Sequence, residues 1–113
     1  MFILLGVISS LAACGGGGDA TISAVSVYKY AGSVQCTGGG NSLSEMGSQL
    51  TAAGIPVISS TCGTDGKVYA AVCGGSDGRI GIFEIAEHHS QAASAVGFAS
   101  LSNLPDATNI PCQ

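Results

Sequence analysis

The chain has 113 residues, with three Lys or Arg against seven Asp or Glu, and a formal net charge of −4. Three basic residues scattered singly leave no footprint for a phosphate backbone, so nucleic acid is excluded as a partner, and a polybasic surface for anionic lipid heads is equally missing. With no Trp and only 5% aromatic residues, a sugar-stacking platform or an aromatic hot-spot surface is not expected either.

The chain opens on an apolar run carried by Phe2, Ile3, Leu4, Leu5, Val7, Ile8 and Leu11. About a dozen residues suit the core of a signal peptide and fall well short of the ~20 needed to span a bilayer as a helix. Leu11-Ala12-Ala13-Cys14 closes the run, and Gly15-Gly16-Gly17-Gly18 follows. This stretch, residues 1–14, resembles the bacterial lipoprotein signal. The resemblance implies cleavage before Cys14, diacylglycerol on its thiol, and a lipid-anchored place in the cell envelope. Gly15 in place of an Asp after the cysteine implies the outer membrane, facing the periplasm. No Lys or Arg precedes Lys29, so the positive charge of such a signal falls to the α-amino group or to a start upstream of Met1. Two or more acyl chains hold firmly where one holds marginally, and the glycines form a flexible tether. The expected organisation is a signal at 1–13, a lipidated Cys14 with a Gly-rich tether at 14–23, and one domain at 24–113.

Ala24-Val25-Ser26-Val27-Tyr28-Lys29-Tyr30 alternates as a strand, with Val25, Val27 and the edge of Lys29 on one face. Tyr28 and Tyr30 read as packing on the other face. Gly38-Gly39-Gly40-Asn41 is a loop, and Ser42-Leu43-Ser44-Glu45 matches a capping box. Leu43, Met46, Leu50 and Ala53 then recur at helical spacing. Gly54 suits the left-handed residue after the last turn, Ile55 covers the end, and Pro56 stops the helix.

The β-branched run 55–61 reads as a buried strand. Asp65-Gly66 has the chemistry of a tight turn, with 68–73 as its return strand. After a second turn at Asp77-Gly78, residues 79–85 place Ile80 and Ile82 on one face and Gly81, Phe83 and Ile85 on the other. Apolar residues on both faces mark a central strand. Residues 87–96 form a second helix with Ala86, Ala93 and Val96 inward, stopped at Gly97 and covered by Phe98. The tail from Ala99 is irregular, pinned by Leu101, Leu104 and Cys112. These elements predict an α+β fold, a sheet of three to four strands with two helices on one face. An edge strand at 98–101, with one middle strand reduced to a loop, would make it ferredoxin-like, βαββαβ.

Cys36, Cys62, Cys73 and Cys112 remain once Cys14 carries lipid. An even number in an exported chain predicts two disulfides. A regular hairpin at Asp65-Gly66 would separate Cys62 and Cys73 by ~13 Å along the strands, beyond the ~7 Å a disulfide allows. The hairpin and a Cys62–Cys73 bond therefore exclude one another. The bond is preferred, with Cys36–Cys112 closing a long circuit worth ~4 kcal/mol in the chain-entropy model.

Candidate chemistry is thin. His88 and His89 are adjacent, and neighbours on a helix point about 100° apart, so they do not readily clasp one ion; with Glu84 and Glu87 nearby they read as a solvated helix start. No Cys-x-x-Cys spacing supports thiol redox chemistry. The glycines at 38–40 precede a helix but lack the Walker residues, and Glu45 already occupies that terminus. Asp65 and Asp77 lack the alternating carboxylates of a calcium loop and read as turn residues. Nothing in the spacing of Glu84, Glu87 and Asp65 favours glycoside hydrolysis. No catalytic, cofactor or metal residue is assigned.

The stretches Tyr28-Lys29-Tyr30 to Cys36, Cys62-Gly63-Thr64-Asp65-Gly66, Cys73-Gly74 and Ile82-Phe83-Glu84-Ile85 resemble small exported domains of proteobacteria, a likeness that carries no activity. The leading expectation is a non-catalytic, lipid-anchored envelope module for structure or protein contact. The second is a small periplasmic binding or inhibitor module acting on an envelope enzyme through an exposed loop at 74–78. A hydrolase or redox enzyme ranks third, since it requires titratable groups converging in one pocket.

Overall fold

The computed structural model describes residues 23–112. The lipidation site at Cys14, the signal at 1–13 and all of the tether but Ser23 lie outside them. The described chain is α+β, with one antiparallel sheet and two α-helices. Its strands are β1 (Ala24–Tyr30), β2 (Ser59–Thr64), β3 (Arg79–Ala86), β4 (Ala99–Ser100) and β5 (Thr108–Asn109). They lie in the order β4-β1-β3-β2-β5. The helices α1 (Leu43–Ala52) and α2 (Ser90–Ala95) follow β1 and β3. The sheet thus has five strands where three to four were expected; the supposedly irregular tail supplies β4 and β5, which pair with β1 and β2.

The central place of β3 follows from its side chains. Phe83 and Ile85 point into a core shared with Val27, Met46 and Leu50 of β1 and α1, and with Ala93 and Phe98 at α2. Ile80 and Ile82 point the other way, onto Leu104, with Tyr28, Leu101 and Ala107 packed around them. Helices cover one face and the tail covers the other. Each side chain the size of Phe83 contributes about 1.5–3 kcal/mol when fully buried. Lys29 sits at the rim of the helical face, its ammonium 5.1 Å from the centre of the Phe98 ring and bonded to the carbonyl of Val96.

Both helices end as their sequences dictate. Ser42 and Glu45 form the capping box at the start of α1. At its end Gly54 has φ +82°, its N–H donates to Thr51, and the Ile55 N–H reaches back to Leu50. Gly97 and Phe98 repeat this at α2, donating to Ser94 and Ala93. Both are Schellman ends, closed by a buried apolar residue. Ala53 is the C-cap of α1 and is exposed, so it does not join the apolar stripe. The second helix is shorter than expected, because Glu87–His89 form a 3-10 turn before α2.

Three further expectations are corrected. Residues 55–61 are not a buried strand: Ile55 is buried against α1, Ile58 is 55% exposed, and β2 starts only at Ser59. Pro56 carries no N–H for a ladder, and the first bond to β3 is from Ile58 N–H to the Glu84 carbonyl. Residues 68–73 form no return strand; β2 pairs instead with β3, in the register Thr64↔Arg79. The disulfides are Cys36–Cys73 and Cys62–Cys112, with Cα atoms 5.1 and 5.2 Å apart. The expected pairing fails because the tail runs beside β2, Ile110 N–H donating to the Cys62 carbonyl, and carries Cys112 to Cys62. Gln35 meanwhile zips to Gly74 and Gly75, which sets Cys36 against Cys73.

Candidate functional site

The long connection from β2 to β3, residues 65–78, is built around a buried carboxylate. Asp65 follows the last residue of β2, and its N–H donates to the Gly78 carbonyl at 2.9 Å, closing the base of the loop. Only 1% of Asp65 is exposed. A carboxylate survives such burial only when its lone pairs are satisfied. Oδ1 accepts the N–H of Lys67 at 2.9 Å, and Oδ2 accepts the hydroxyls of Tyr30, at 2.9 Å, and Tyr69. Burial opposes the charge on Asp65, but the Tyr69 hydroxyl, the Lys67 amide and the Tyr30 hydroxyl outweigh it and hold the carboxyl below the usual carboxylate range. The same contacts act on the phenols. Burial, the bond to Asp65 and its negative charge push Tyr30 up. For Tyr69 the bond to Asp65 leads and burial adds to it.

The far side of the loop is held by one amide side chain. Gln35 Nε2 donates to the carbonyls of Ala70 and Ser76 at 2.8 and 3.0 Å, while its Oε1 accepts the Val72 N–H at 3.0 Å. Beside it, Cys36 has φ +74° and is bonded to Cys73. Asp65 therefore fixes one end of the loop, and Gln35 with the disulfide fixes the other.

Between these anchors, residues 66–74 are all exposed. Val68 is 98% and Val72 57% exposed. Gly66 turns the chain at φ +77°, with the Lys67 N–H on Asp65 Oδ1, and residues 67–72 beyond it belong to no helix, strand or turn. Among the described residues the amides of Val68, Tyr69, Ala70 and Ala71 donate to no acceptor. Apolar residues in fixed, solvated backbone are costly to keep ordered without a use. The loop expected at 74–78 is the stem of this one: Ser76 bridges to Val34 and Gly78 is buried. The exposed tip is 67–72. Gln35 carried no signal in the sequence beyond its place next to a cysteine.

A cleft of about 530 Å³ lies beside the start of α1, lined in part by Ser33, Gly39, Glu45, Asp77, Arg79 and the Cys62–Cys112 bond. Its charges are largely committed. Arg79 pairs with Asp77 at 3.5 Å, and Glu45 accepts the Ser42 N–H. The Ser33 hydroxyl is buried with no partner among the described residues, so no base is placed to activate it.

The remaining candidates do not converge. His88 is exposed on the 3-10 turn and His89 is half-buried beside it, their rings 4.2 Å apart. Glu84 lies on β3, where it accepts a bond from Ser59. All four described cysteines are in disulfides. Among the described residues no three His, Cys, Asp or Glu side chains are grouped to hold a metal, and no helix is long and apolar enough to cross a membrane. No family model matches the chain, and neither a curated protein nor a solved structure shows significant similarity to it.

Proposed function

We propose that this chain is a lipid-anchored protein of the cell envelope whose ferredoxin-like domain makes protein contacts and carries out no chemistry of its own. The observation that carries the reading is the exposed apolar tip at 67–72, held in one shape by Asp65, Gln35 and Cys36–Cys73. A surface fixed before binding loses less entropy on association. The ferredoxin-like description is supported by the element order βαββαβ and the strand order 4-1-3-2, with β5 as an added edge. The anchor is supported by Cys14 after Leu11-Ala12-Ala13, and the oxidising compartment by the pairing of every other cysteine. An outer-membrane anchor facing the periplasm is supported by Gly15, which stands where an Asp could follow the cysteine.

Two measurements test this. Labelling with a clickable fatty acid should mark the wild type and leave Cys14→Ser unmarked; equal labelling removes the anchor. A photo-crosslinking residue at position 68 should trap an envelope protein in living cells, while the same residue at exposed position 91 on α2 should not. Crosslinks at neither position, or equally at both, overturn the protein-contact reading.

A further inference from the structure

We infer that residues 67–72 act as a substrate-like strand that fills the cleft of an endopeptidase with small apolar subsites, with Val68 as the residue in the primary pocket. The inference rests on the protein-contact reading above and names its partner.

Endopeptidase clefts take an extended chain as an added strand, through main-chain hydrogen bonds, and read alternate side chains in pockets. The tip meets both needs. Its amides from Val68 to Ala71 are uncommitted among the described residues, and it offers Val68, Ala70, Ala71 and Val72, all small and apolar. Val68 is the most exposed of the large hydrophobic side chains among the described residues. Tyr69 turns its hydroxyl back to Asp65, so the chain on the leaving side of the Val68–Tyr69 bond is anchored. The carbonyl of Ala70 is engaged by Gln35; among the described residues no such bond holds that of Val68.

The same anchors separate an inhibitor from a substrate. Attack of the partner's nucleophile on the Val68 carbonyl carbon breaks the Val68–Tyr69 bond and expels the Tyr69 amine. Water would complete hydrolysis to a Val68 carboxylate and a Tyr69 ammonium. Here Tyr69 stays on Asp65, and its segment stays tied through Val72 and Cys73 to Gln35 and Cys36. The amine remains beside the acyl carbon and re-forms the peptide bond, displacing the nucleophile. A lipid surface fits the tip less well. Hydrocarbon would strip water from four unpaired amides, and a net charge of −4 gives no attraction to anionic lipid.

The test uses the detergent-solubilised wild-type chain against pancreatic elastase, which prefers small apolar residues, with trypsin as counter-enzyme. Elastase should be inhibited competitively and trypsin left active. Val68→Asp should weaken inhibition by at least about 100-fold, and Val68→Lys should transfer inhibition to trypsin, as a primary-pocket residue does. Position 68 is exposed, so neither change disturbs the core. The Cys36→Ser/Cys73→Ser variant should become a substrate cut between residues 68 and 69, detected by mass spectrometry. No inhibition of elastase at about 100 µM, or cutting of the wild type as fast as the double variant, overturns the inference. Crosslinking from position 68 in cells without elastase inhibition removes this inference alone; failure of both removes the parent reading as well.

Discussion

Gly78 and Asp65 close the loop against one another: the Asp65 N–H donates to the Gly78 carbonyl, and a β-carbon on Gly78 would lie 2.7 Å from Asp65 Oδ1. Gly78 also has φ +73°, which side chains bear poorly. Gly78→Ala should therefore cost about 2–4 kcal/mol, from the left-handed backbone and the forced shift of a buried carboxylate. Urea unfolding of the two proteins at neutral pH measures it. A loss below about 0.5 kcal/mol would show that the base of the loop is loose.

Asp65 gives the fold an acid limb. Its native pKa lies below the ordinary value of about 3.9, so its contribution is complete above that value. It is lost as pH falls through the lower native value. Tyr30 and Tyr69 act at the other end of the scale. Their native values lie above the ordinary value of about 10, so their contribution is complete below that value and is lost as pH rises beyond it. Urea midpoints should fall in the wild type as pH is lowered from about 6 to about 2 and stay flatter in Asp65→Asn. Asp65→Ala, which strands two hydroxyls and an amide, should cost about 3 kcal/mol at neutral pH.

The two disulfides close segments of 37 and 50 residues, and each should stabilise by about 4 kcal/mol in the chain-entropy model. Their pairing is open to direct mapping. Trypsin alone leaves Cys36 and Cys62 on one peptide, but a second cut at Glu45 separates them. Non-reduced digests should then join the Cys36 peptide to the Cys73 peptide and the Cys62 peptide to the Cys112 peptide. Any other linkage contradicts the paths of both the loop and the tail.

Lys29 tests how the helices are held to β1. Its ammonium bonds the Val96 carbonyl at the end of α2 and the Gln49 side chain of α1, and sits over Phe98. A cation at a helix C-terminus and over an aromatic face contributes about 1 kcal/mol together. Lys29→Met should cost about that much by thermal unfolding, less at high salt. A neutral result would mean that solvent serves those groups equally well.

What could be read from the chain was local chemistry. The capping box at Ser42 and Glu45, the glycine stops at Gly54 and Gly97, and the two-faced strand at Arg79–Ala86 depend on neighbours a few residues away. The loop could not be read that way. Asp65-Gly66 has the same local chemistry in a two-residue hairpin as in a wide loop. The choice is made by Tyr30 and Gln35, which reach it from β1 and from the segment that follows. Residues 68–73 looked like a return strand because an unbroken apolar run follows the Asp65-Gly66 turn signal, whereas the Cys36–Cys73 bond holds that segment away from the sheet. Disulfide pairing was equally out of reach, since it depends on the route of the tail past Cys62.

The ladder between β1 and β3 sets Ala24 beside Ala86, so the first strand waits for a partner made much later. A ribosome or a translocation channel delivers residues from the N-terminus, and until the segment after Gly78 emerges the early half has little to fold upon. Assembly dominated by such distant pairings runs in roughly milliseconds to seconds rather than microseconds. Truncation before Ala99 would remove β4, β5 and Cys112 at one stroke, leaving Ile80 and Ile82 bare and the nascent sheet open to other chains.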